Sequence, residues 1–132
     1  MENKIYNVSS EDFIKIKEKF LEDKTLFVAE IHGKEIKTLQ DYFNRVSIIF
    51  KFPIPSRYFS GYDDWMRDLD WLEKDGYVLV IYEYEDLLKQ DSSSKKTIID
   101  DFTDIILPWW EKEVEEFCVD GKAKPFNVYL VY

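Results

Sequence analysis

Tyr58-Phe59-Ser60-Gly61-Tyr62-Asp63-Asp64-Trp65-Met66-Arg67-Asp68-Leu69-Asp70-Trp71-Leu72 runs on, through a short polar turn, into Tyr77-Val78-Leu79-Val80-Ile81-Tyr82. The first string predicts a helix. Tyr58, Tyr62, Trp65, Leu69 and Leu72 recur at alternating spacings of four and three, which puts them on one buried stripe. Asp63, Asp64, Arg67 and Asp68 fall off that stripe. Pro53 and Pro55 end the preceding helix, and Pro55 forces Ile54 out of the helical region. Ser60 with Asp63 three residues later suits a helix start, and Ser56 is a second candidate cap. Gly76 is the expected end of the element. The second string is apolar throughout, without alternation, which predicts a strand covered on both faces.

Working outward, Ser9 caps a helix over about residues 9 to 23, with Phe13, Ile16, Phe20 and Leu21 as its apolar positions. Leu26-Phe27-Val28-Ala29-Glu30-Ile31 reads as a strand, closed by the turn His32-Gly33-Lys34. Thr38, with Asp41 three residues on, caps a helix that carries Leu39, Tyr42, Phe43, Val46 and Phe50 on one face. Glu83 to Gln90 suits a short helix, and Asp91-Ser92-Ser93-Ser94-Lys95-Lys96 reads as a flexible loop. Thr97 to Phe117 is helical, kinked or split at Pro108. Asp120-Gly121 turns the chain, and Phe126 to Tyr132 closes it as a strand. Strands separated by helices predict an α/β fold: a three-stranded parallel sheet with flanking helices and right-handed crossovers. The length suits one domain over residues 1–132.

The charge is uneven. Residues 58 to 120 hold eighteen acids and six bases, whereas the chain as a whole carries −9. Phosphate binding needs clustered Lys and Arg, so nucleic acid is not the expected ligand, and a basic protein fits the field better. Cys118 is the only cysteine, so no internal disulfide can form, which suits a reducing cytoplasm. No apolar run approaches the length of a membrane span, and the first residues lack the pattern of a signal peptide.

The string from Tyr58 to Leu72 resembles the barstar family, intracellular inhibitors of secreted ribonucleases. The likeness runs from about Leu26 to the C-terminus and is strongest in the Pro-containing loop, the acidic helix and the following strand, where Met66-Arg67-Asp68-Leu69-Asp70-Trp71-Leu72 closely matches the family's Leu-Arg-Asp-Leu-Asp-Trp-Leu tail. The family's Asn-Trp-Asp head is replaced by Tyr58-Phe59-Ser60. The resemblance implies that Asp64 is the carboxylate that enters a ribonuclease's phosphate site. Asp63 then falls on a contact position, Phe59 replaces an apolar contact, and Ser60 replaces a second interface carboxylate. Arg67 and Asp68 complete the expected partner-binding set, with an acid of the last helix, Glu111, Glu113 or Glu115, beside it. The implied function is that of an immunity protein of a toxin–antitoxin pair, plugging the active site of a basic ribonuclease or nuclease toxin. The helix near residues 9 to 23 is extra to the smallest members.

Within the helix, Asp63 and Arg67 stand a turn apart with the acid N-terminal, the favourable order for a pair. Asp64 and Asp68 are also a turn apart, with Trp71 on the same side. His32, the only histidine, reads as a turn residue, with no Ser/His/Asp set around it. Cys118 reads as a small buried residue. Trp109-Trp110 offers one ring to the core and one as an exposed anchor. No zinc, EF-hand or phosphate-loop spacing occurs, so no cofactor is expected. The expected action is stoichiometric, not enzymatic. The rivals are a non-inhibitory interaction module that keeps the fold and a metal-dependent enzyme using the carboxylates.

Overall fold

The computed structural model describes all residues 1–132. It is an α/β structure with a parallel sheet of four strands, one more than the sequence suggested: β1 (Ile5–Val8), β2 (Leu26–His32), β3 (Gly76–Tyr82) and β4 (Phe126–Val131), in the order β1-β4-β3-β2. The added strand is β1. It is four residues long, exposes Tyr6 and Asn7, and pairs only with β4. Its position is set by long-range bonds: the Asn3 side chain donates to the Leu107 and Lys124 carbonyls and accepts from the Phe126 amide. None of this is visible in a four-residue window.

Helices α1 (Ser10–Glu22), α2 (Leu39–Ile49), α3 (Phe59–Met66) and α4 (Ser92–Asp101) cover the sheet. The caps expected for α1 and α2 form: Ser9 accepts from the Asp12 amide, and Thr38 with Asp41 makes a reciprocal capping box. The crossover from β1 to β2 runs across the sheet, and those from β2 to β3 and β3 to β4 run back. Right-handedness therefore puts α1 on one face and the later helices on the other. Strand β3 serves both. Tyr77, Leu79 and Ile81 enter the main core, whereas Val78 and Val80 meet Phe13 of α1 and Val131. Ile16 and Phe20 join that second core, but Leu21, turned roughly a quarter of the way round the helix from Phe20, is exposed.

Asp91 to Lys96 is not a loop. Asp91 caps α4 by accepting from the Ser94 amide, and helix follows at once. Pro108 does not split the long helix. Helical backbone continues through π turns at Phe102–Ile106 and Trp109–Glu113 to α5 (Val114–Phe117). The Leu107 and Val114 amides bond back five residues, to Phe102 and Trp109. Pro108 has no amide proton and its ring crowds the carbonyl four residues back, so a widened turn relieves both problems. The turns also align the core. Ile98, Phe102, Ile106, Trp110 and Val114 are all buried at a constant spacing of four. In an ideal α-helix that row would drift about 40° per step.

Gly33 sits where the chain leaves β2, under the turn that follows β3. A Cβ there would lie 2.4 Å from the Glu83 carbonyl oxygen and 3.0 Å from the Leu87 amide nitrogen. Gly61, inside α3, has Ser56 Oγ as its nearest neighbour at 3.5 Å. Gly33→Ala is expected to cost about 1–3 kcal/mol by overpacking against backbone. Gly61→Ala is expected to be neutral or to stabilise by up to about 1 kcal/mol. Urea midpoints of the two variants check the contrast.

Candidate functional site

Helix α3 is shorter than the sequence suggested. It begins after Tyr58, which has extended backbone and makes no side-chain cap, so neither Ser60 nor Ser56 caps it. It ends at Met66. Leu69 and Glu73 then take left-handed conformations around a 3₁₀ turn, Asp70–Leu72, and Gly76 opens β3 instead of ending a helix. Asp68 therefore stands beyond the helix, where its carboxylate accepts from the Asp70 amide at 3.2 Å.

The helix is held rigidly from below. Tyr62, Met66 and Leu69 are fully buried. The Tyr62 hydroxyl meets that of Tyr42 at 2.7 Å, and burial pushes both phenols well up. Trp110 on the second π turn donates its indole N–H to the Met66 carbonyl at 2.8 Å. Trp71 donates likewise to Phe50 and packs on Phe52 and Trp65. Phe59 is half-buried, its ring against Phe43 and Tyr62.

The outer stripe is Ser60, Asp64 and Arg67, at spacings of four and three. Ser60 and Asp64 are exposed, and the Asp64 side chain is 75 % accessible. Arg67 reaches Asp64 at 3.1 Å, and its Nε donates to the Asp63 backbone carbonyl. The expected Asp63–Arg67 side-chain pair thus does not form; the pair is Asp64–Arg67. Arg67 also lies over the Trp109 ring, which stacks on Phe117, so Trp109 is half-covered and Trp110 is the core ring. Asp63 faces inward, with Oδ1 buried.

Two exposed features escaped the sequence reading. Tyr58 has the spacing of the buried stripe, yet it is 74 % exposed at the start of α3. Its non-helical backbone takes it off the helical phase. Cys118 is exposed as well, just past α5. Of the acids on the last helix, Glu111 accepts from the Asn3 amide and Glu115 from the Ala123 amide. Glu113 makes neither kind of tie and shares its row with Trp109 and Phe117. A groove of about 500 Å³ opens beside the end of α3, lined by Arg67, Asp68, Asp70, Asp75, Trp109 and Lys124 among others. No three His, Cys, Asp or Glu side chains converge on a possible metal position. No helix is long and apolar enough to cross a membrane.

Residues 26–121 match the family model described as Barstar (barnase inhibitor). That span runs from β2 through the last helix and includes the whole of α3. No curated protein and no solved structure gives a significant match. The acidic helix lodged between the Pro-containing loop and the buried strand is thus recognised together with the frame that holds it: the chain belongs to the barstar family.

Proposed function

We propose that this chain is an intracellular inhibitor, or immunity protein, that inserts the outer face of α3 into the basic active-site cleft of a ribonuclease or nuclease toxin. The observation that carries this reading is the Asp64 carboxylate, exposed to solvent and paired only with Arg67, on a helix whose opposite side is fully buried. A ribonuclease holds phosphates with Arg, Lys and His. A carboxylate on an immobile backbone accepts the same charge-assisted hydrogen bonds. Ser60 and Arg67 flank it, Asp68 supports the turn behind it, and the exposed ring of Tyr58 supplies a flat apolar contact of the kind enriched at interfaces. Phe59 and Asp63 act from within, holding the helix rather than touching the partner. Glu113 is the acid of the last helix best placed to join them. Binding without turnover is the expected mode.

Titration of a basic ribonuclease from a related toxin system tests this. The expected result is stoichiometric loss of RNA cleavage, with an association rate that falls steeply as salt is raised, because the surrounding acids steer the encounter. Binding that leaves cleavage intact would instead make the chain a non-inhibitory interaction module. That outcome has a motive in Ser60, which stands where the family carries a carboxylate.

A further inference from the structure

Behind the exposed stripe of α3, two carboxyl groups from different helices lie within interaction range of each other. Asp63 comes from α3. Asp101 closes α4 and is only 8 % exposed. Each keeps one buried oxygen with no hydrogen-bond donor, Asp63 Oδ1 and Asp101 Oδ2. The groups around them offer little help. The Tyr42 hydroxyl from α2 and the Tyr62 hydroxyl from α3 bond to each other, one donating and one accepting, and neither hydrogen-bonds Asp63 Oδ1 or Asp101 Oδ2. Arg67, just past α3, gives its hydrogen bonds to Asp64 and to the Asp63 backbone, so only its charge reaches Asp101. Asp104, on the same helix as Asp101, adds a further negative charge.

Two ionised carboxylates placed this way would set acceptor against acceptor and charge against like charge. One proton held between them removes both penalties, because a carboxylic acid donates to its carboxylate neighbour. We propose that Asp63 and Asp101 form a proton-sharing clasp that positions α3 against the last helix and so fixes the direction in which Asp64 points. The positioning role rests on the reading of α3 as the docking face; the clasp itself does not. Its partners are not contact residues. They act through the helix that bears the contact residues.

Burial, then the hydrogen bond to Asp63, then the charge of Asp63 push Asp101 up to about 8. In the unfolded chain it returns to its ordinary 3.8. Between those values the folded state holds the extra proton. The clasp therefore contributes fully below about pH 4, and its contribution is lost as the pH rises toward about 8. Asp23 and Asp91, held down by hydrogen bonds from Thr25 and Ser94, act the other way, and only in acid. The clasp is thus read as a difference between variants.

The test compares urea midpoints of the native chain and Asp101→Asn from about pH 5 to about pH 9.5, alongside a carboxyl ¹³C NMR titration of the native chain and of Asp63→Asn. Asparagine keeps a donor toward Asp63 and cannot ionise. Asp101→Asn is expected to gain stability relative to the native chain as the pH rises, levelling off above about pH 8. One aspartate resonance in the native chain is expected to titrate above pH 7, and in Asp63→Asn it should titrate lower. A stability difference that stays flat across the range overturns the clasp. So does a native chain whose aspartates all titrate below about pH 6, which decides the matter even if a variant fails to fold. Neither readout involves a nuclease, so failure to inhibit any ribonuclease leaves this result standing, and the reverse holds too.

Discussion

Asp64→Ala is expected to weaken binding to a cognate basic ribonuclease by about 2–5 kcal/mol, chiefly through faster dissociation, while leaving the fold intact. That range is the general one for truncating one member of a buried interfacial charge pair, the barnase–barstar complex among the cases behind it. The large loss has two sources. The partner's phosphate-binding cations would lose their acceptor, and they would stay buried in the complex without another. The small effect on the free chain follows from exposure. Asp64 pairs only with Arg67, at 3.1 Å and with its own side chain 75 % accessible, and surface pairs of this kind contribute about 0–1 kcal/mol. Comparing dissociation constants with urea midpoints therefore separates recognition from folding. Asp64→Asn, which keeps an acceptor oxygen and loses the charge, should fall between native and alanine. An unchanged affinity for Asp64→Ala would remove Asp64 as the anchor and shift attention to Tyr58 or the acids beside the groove.

Trp110→Ala carries the largest expected cost to stability. The ring is 3 % exposed, lies 5.2 Å from that of Tyr77, and holds the carbonyl that ends α3 through its 2.8 Å bond to Met66. Removing a buried tryptophan costs about 3–5 kcal/mol. Leaving the Met66 carbonyl without its donor adds to that cost. Against a total of about 5–15 kcal/mol for a typical domain, such a variant is near the edge of folding. Trp110→Phe keeps much of the ring and loses the hydrogen bond, so about 1–3 kcal/mol is expected for that loss. Chemical denaturation of the two variants measures the separate contributions. A loss below about 1 kcal/mol for alanine would mean that the last helix is not seated on α3 as described.

The same bond depends on a helix phase that local sequence leaves open. Trp109 and Trp110 were legible as one core ring and one outer ring, because neighbours on a helix face about 100° apart. Which was which depended on the phase of the last helix, and the two π turns around Pro108 set that phase. The even spacing of Ile98, Phe102, Ile106, Trp110 and Val114 was the available clue. It fits no ideal α-helix, and the two π turns that keep the row in line form only in the folded chain. Tyr58 failed for a related reason. Its spacing from Tyr62 matched the stripe, but it lies one residue before the helix begins, where helical spacing carries no meaning.

Local chemistry was enough for several elements. The caps at Ser9 and Thr38, the strand at β3 covered on both faces, and the parallel α/β class all follow from side chains that act on backbone within a few residues, or from an apolar run that tolerates no water. The fourth strand, the inward turn of Asp63, the pairing of Arg67 with Asp64 and the burial of Asp101 do not. Each depends on groups distant in sequence, such as Asn3 reaching Lys124 or α3 lying against the last helix. A residue's neighbours in the chain state its preferences, but burial and charge partners are properties of the assembled layers, and those decided which carboxylate points outward and which shares a proton inside.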